Sequence, residues 1–112
     1  MDQLRLRLLD LHRALIEVER VALERTRGRL TATALWHLLV EDPALAWLGP
    51  LSSVIVRLDE GVAVDDEADL RATVRALLTA DPDGAPFQRR YAELLQAAPE
   101  VVLAHRAVTR AW

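Results

Sequence analysis

The stretch LRLRLLDLHRALIEVERVALE, residues 4–24, decides the fold because it carries the longest uninterrupted apolar period in the chain. Its main apolar row follows alternating steps of four and three, which places the row on one side of an α-helix. The members of this row are Leu4, Leu8, Leu11, Leu15, Val18 and Ala22. A second row, Leu9, Ile16 and Leu23, lies about 100° round the helix, so the helix should touch more than one neighbour.

A third, mostly polar row runs between the two apolar rows at the same spacing: Arg5, His12, Glu19 and Thr26. His12 and Glu19 therefore point inward, but they stand about 10 Å apart along the helix axis and need a third group to bridge them. His105 is the first candidate for that role and Tyr91 is the second. The alternative is that His12 makes an ordinary hydrogen bond, His105 packs its ring, and Glu19 reaches solvent or pairs with an arginine.

Turn and capping residues divide the rest of the chain into further helices. The expected boundaries are Gly28, Thr31 or Thr33, Glu41, Asp42-Pro43, Gly49-Pro50, Gly61, Asp65 or Asp66, the turn Asp81–Gly84, and Pro86. Pro99 either kinks one long helix or separates two. Because no strand alternation occurs, we expect an all-α fold in a single domain, residues 1–112. Its simplest form is a bundle of four main helices with a short helical insertion between the first and the third.

Composition excludes several classes of protein. The hydrophobic fraction is 52%, yet no apolar run approaches the ~18 residues of a membrane span, and no signal peptide is visible, so we expect a cytoplasmic protein. The chain has no cysteine and therefore no disulfide, thiolate metal site or cysteine nucleophile. Its net charge of -3 argues against a nucleic-acid partner.

Recognisable catalytic motifs are missing from the sequence. There is no Glu-x-x-His pair for a di-iron site, no glycine-rich phosphate loop and no serine elbow. Ser52 and Ser53 are expected at the exposed start of a helix rather than as nucleophiles. We therefore predict no catalytic residue, no metal site and no cofactor.

The tryptophans are the residues most typical of a partner surface. Trp36, Trp47 and Trp112 outnumber the single Phe and the single Tyr, and interfaces favour tryptophan. Trp47, beside the helix break at Gly49-Pro50, either is buried in the core or anchors a partner, and Trp112 either docks on the bundle or completes an interface. These rings are informative about binding only where they are exposed.

Three segments carry a resemblance to a known group of proteins: LHRALIEVERVALE at 11–24, DPALAWLGPLSSVIVRLDE at 42–60 and YAELLQAAPEVVLAH at 91–105. They resemble a family of small uncharacterised bacterial proteins. The resemblance covers over a third of the chain and implies a helical bundle in a bacterial cytoplasm. It implies no activity and no site residue.

Two functional hypotheses follow from the sequence. The first is a non-enzymatic helical protein that forms a homo-oligomer or binds a protein partner, because its apolar fraction exceeds what so small a bundle easily hides. Trp47 and Trp112 are its predicted partner-binding residues. The second is a ligand- or metal-binding bundle, or an enzyme, with a polar site formed by His12, Glu19, Tyr91 and His105.

Overall fold

The computed structural model describes all 112 residues and contains seven α-helices and no strand, which confirms the all-α prediction. The helices are α1 (Asp2–Arg27), α2 (Ala32–Glu41), α3 (Pro43–Ala46), α4 (Gly49–Glu60), α5 (Glu67–Leu77), α6 (Pro86–Ala97) and α7 (Pro99–Thr109), with a 3₁₀ turn at Val64–Asp66 before α5. Six of the helices have ten or more residues, so the count of four main helices is not confirmed. None of the helices is both long enough and apolar enough to cross a membrane.

Local sequence chemistry explains most of the helix ends. The chain leaves α1 at Gly28 and α4 at Gly61, whose φ angles of +76° and +96° lie in the region that glycine adopts most easily. The Thr31 hydroxyl accepts a hydrogen bond from the Ala34 amide and so caps α2. The Asp42 carboxylate caps α3 in the same way, and Pro43 takes the first helical position.

The start of α5 differs from the prediction that Asp65 or Asp66 caps it. Both residues lie in the 3₁₀ turn, and neither side chain bonds to the first amides of α5. The turn is closed by backbone hydrogen bonding, with the Asp66 amide donating to the Ala63 carbonyl. Acidic residues at this end still favour the helix, because they face the positive end of its dipole.

Pro99 separates two helices rather than kinking one. Ala98 stands before it with an extended backbone, φ -128° and ψ 107°, as the proline ring requires of its predecessor. The chain therefore turns between α6 and α7, and the two helices pack against each other. This turn brings Tyr91 on α6 close to His105 on α7.

Helix α1 is the centre of the core and packs against α7, α4 and α3. Its buried residues are Leu4, Leu8, Leu11, Leu15 and Glu19, whereas Val18 is half-buried and Ala22 is exposed. The predicted row is thus buried over its first four members, half-buried and packed on the core at Val18, and wrong only at Ala22. A straight helix with 3.6 residues per turn drifts ~20° per heptad from a strict 3.5-residue repeat. This drift brings position 19 into the buried face beside the half-buried Val18, whereas Ala22 points the same way as Leu4 but lies near the C-terminal end of α1.

Helix α2 is attached to the outside of this core. It contacts mainly α3, and none of its residues is buried. Leu35, Leu38 and Leu39, predicted on its inner face, are only half-buried. A helix this apolar is therefore covered on one side at most.

Candidate functional site

The structure places the four residues of the predicted polar site in three separate groups. His12 is bonded to Ser52, Glu19 to Trp47 and Arg90, and Tyr91 to His105. Only Tyr91 and His105 are brought together. The chain has no cluster of three or more histidine and carboxylate side chains placed to hold a metal ion.

Glu19 is an internal carboxylate with a complete set of partners. Its side chain is buried, and Arg90 donates to it through Nη2 at 2.5 Å and Nε at 3.3 Å. Trp47 Nε1 donates to Oε2 at 3.1 Å. This joins three helical segments, because Glu19 lies on α1, Arg90 on α6 and Trp47 just after α3. The pairing of Glu19 with an arginine was one of the alternatives from the sequence, but a partner 71 residues away could not be named.

Tyr91 and His105 belong to a row of aromatic rings that runs from Trp47, just after α3, to Trp112 at the end of the chain. The Tyr91 hydroxyl lies 2.6 Å from His105 Nδ1. Successive ring centroids are 5.2 to 5.9 Å apart along the series Trp47, Phe87, Tyr91, His105 and Trp112. Such tilted and stacked arrangements stabilise a core beyond simple burial. Burial raises the pKa of Tyr91 and lowers the pKa of His105, which favours the neutral form of both rings.

The predicted partner anchors Trp47 and Trp112 are both half-buried within this row. Trp47 packs on Phe87, and the ring of Trp112 meets His105 edge-on. The third tryptophan is different: Trp36 on α2 has 64% of its surface exposed. The sequence pattern did not separate these three rings, because exposure depends on what packs above each helix.

His12 lies at the base of an open groove between α1, α2 and α4. Its Nε2 is 2.9 Å from the hydroxyl oxygen of Ser52. Ser52 and Ser53 lie at the start of α4 as predicted, but Ser52 is half-buried and only Ser53 is exposed. Burial lowers the pKa of His12, so the ring is neutral near pH 7. The groove has a volume of about 400 Å³. Its lining residues are Leu9, His12, Trp36, Leu39, Val40, Leu45, Leu48, Gly49, Ser52, Ile55 and Val56.

Two properties of the groove matter for function. No charged side chain lines it, and its outer rim is formed by three exposed apolar residues. These are Trp36 and Val40 on α2, with 64% and 61% of their surface exposed, and Val56 on α4, with 52% exposed. We refer to these three residues as the α2 surface. The sequence pattern could not identify it, because the same apolar residues would be expected in a core.

No known protein family, curated protein or solved structure matches this chain.

Proposed function

We propose that this is a non-enzymatic protein that acts by self-association, with the α2 surfaces of two copies packed against each other. The observation that carries the proposal is that α2 is apolar but not buried. Seven of its ten residues are apolar, yet none is buried in the isolated chain. A helix that is apolar nearly all round normally lies inside a structure. A second copy would supply the missing cover.

The total surface supports the same reading. The chain exposes 6781 Å², whereas a typical folded monomer of 12.5 kDa exposes about 6,200 Å². The excess of about 600 Å² is comparable with the ~800 Å² that each partner contributes to a standard interface. An isolated copy thus exposes more surface than a typical monomer of its mass.

The charges around α2 favour a second copy as the partner. A two-fold interface brings the same patch of both copies together, so the patch must be complementary to itself. Helix α2 carries one acidic residue, Glu41, and one histidine, His37, and the three residues of the α2 surface are uncharged. Packing α2 on α2 therefore sets apolar groups against each other. The shortage of charge is typical of the centre of an interface.

Sedimentation equilibrium at increasing protein concentration tests this proposal. We expect the wild-type mass to rise from 12.5 kDa towards twice that value. Trp36→Glu should weaken dimerisation by at least about 30-fold, because a central tryptophan anchor is typically worth 2 kcal/mol or more. The matched control is Leu103→Glu on α7, because Leu103 is 66% exposed and lies outside the α2 surface.

The control should dimerise as the wild type does, and both variants should keep their helical circular dichroism. Their folding should survive because neither residue is buried. A wild-type protein that stays at 12.5 kDa at high micromolar concentration would overturn the proposal. Equal weakening by both substitutions would overturn the assignment of the interface to α2.

A further inference from the structure

The groove beneath α2 contains a polar pair, His12 and Ser52, that joins α1 to α4. Serine within a helix commonly turns its hydroxyl back to the carbonyl of residue i−4. Ser52 instead directs its hydroxyl towards His12, which lies on another helix and 40 residues away in the chain. Its own amide makes the ordinary helical bond to the Leu48 carbonyl. The hydroxyl and the ring therefore form a hydrogen-bonded pair among the apolar residues that line the groove.

This pair retains hydrogen-bonding capacity after its own bond is made. If the Ser52 hydroxyl donates to His12 Nε2, the serine oxygen can still accept and Nδ1–H can still donate. If Nε2–H donates instead, the hydroxyl can still donate and Nδ1 can still accept. In either tautomer the pair presents one free donor and one free acceptor to a third group. The other side chains that line the groove are hydrocarbons apart from Trp36, whose indole N–H is a further donor, and Gly49 has no side chain.

We propose that the groove binds an uncharged amphipathic small molecule, with an apolar chain or ring and one hydroxyl or carbonyl group held by His12 and Ser52. The apolar part would lie against Leu9, Leu39 and Ile55. The absence of any charged lining residue argues against an ionised ligand, because a buried charge needs a partner. The neutral state of His12 near pH 7 agrees with this.

The volume of the groove limits the size of the ligand. A cavity of about 150 Å³ holds benzene, which has six heavy atoms. In proportion, about 400 Å³ accommodates up to roughly 16 heavy atoms. This is the size of a medium-chain alcohol or a two-ring phenol, and the volume lies within the ordinary range of ligand sites.

Calorimetric titration with 1-decanol, an uncharged probe of the expected size, tests the site. We expect saturable binding of 1-decanol and at least tenfold weaker binding of decanoate, its charged counterpart. Ser52→Ala should weaken 1-decanol binding about 3- to 10-fold, the usual effect of one hydrogen bond. Ser53→Ala is the matched control, because Ser53 is exposed, is adjacent in the chain and does not line the groove.

NMR and solution mass provide independent measurements of the same site. On titration with 1-decanol, the ring resonances of His12 should shift, while those of exposed His37, which does not line the groove, should not. Trp36, Val40 and Val56 form both the rim of the groove and the α2 surface, so in a dimer the ligand would lie beneath the contact between the two copies. Ser52 lies below this rim, so Ser52→Ala should leave the dimer mass unchanged, and the ligand site and self-association can fail separately. Lack of saturable binding, binding of decanoate as tight as that of 1-decanol, or an unshifted His12 ring would overturn the proposal.

Discussion

The pair formed by Glu19 and Arg90 predicts an asymmetry between two substitutions that break the same contact. Glu19 is 5% exposed, whereas the Arg90 side chain is 38% exposed. Removing Arg90 leaves a carboxylate inside the protein without a cation. Removing the charge of Glu19 leaves a guanidinium that can turn to water and still pair with Glu93 at 2.6 Å. The two substitutions should therefore lower the free energy of unfolding by different amounts, although they break the same bonds.

The magnitudes follow from these exposures. Breaking a fully buried pair costs about 3 to 5 kcal/mol, and Glu19 keeps its bond from Trp47, so Arg90→Met should cost about 3 kcal/mol. Glu19→Gln keeps an oxygen that can accept from Trp47 and should cost about 1 kcal/mol. In a domain of this size 3 kcal/mol corresponds to a loss of about 12 °C in Tm.

Urea unfolding followed by circular dichroism measures these free energies. The most decisive comparison uses the double variant Glu19→Gln/Arg90→Met. It should be about 1 to 2 kcal/mol more stable than Arg90→Met alone, because it no longer buries an unpaired charge. Glu93→Gln is the control and should change stability by less than about 0.5 kcal/mol, since Glu93 is exposed. A double variant no more stable than Arg90→Met would refute the reasoning.

Two further predictions concern backbone strain and protonation. Gly61→Ala should lower the free energy of unfolding by about 1 kcal/mol in thermal unfolding, because its φ of +96° disfavours a side chain. Gly49→Ala is the control: Gly49 has open space around it and no positive φ, so the free energy of unfolding should stay the same or rise by up to about 0.5 kcal/mol. Equal effects of the two substitutions would contradict this prediction. Burial lowers the pKa of both His12 and His105, so the unfolded chain binds protons first and stability should fall as the pH drops below about 6.5. Replacing both rings by glutamine should flatten this pH dependence of the unfolding free energy, measured by urea unfolding between about pH 7.5 and 5.5. An unchanged slope in the double variant would contradict the prediction.

Local sequence was sufficient for the features that short-range chemistry controls. Gly28 and Gly61 mark the ends of α1 and α4 because the chain there adopts positive φ. Thr31 and Asp42 cap the helices that follow them because a side-chain oxygen can reach amides two or three residues ahead. Helix type and most helix ends were therefore predictable without a structure.

The contents of the candidate sites depend on contacts distant in sequence. Periodicity indicated that His12 and Glu19 face inward, but it could not supply Ser52 or Arg90, because the packing angle and register of neighbouring helices decide which side chains meet. Nor could it distinguish exposed Trp36 from half-buried Trp47, since both occur in apolar segments.

One physical reason separates the features that the sequence determined from those that the tertiary structure decided. A helix and its caps are stabilised by bonds that span about four residues, so sequence alone determined the all-α class, most of the helix ends and the inward face of α1. Burial and polar pairing depend on how the completed helices pack. Only the tertiary structure decided that α2 is left uncovered, that Glu19 meets Arg90, and that His12 and Ser52 share a groove without charges.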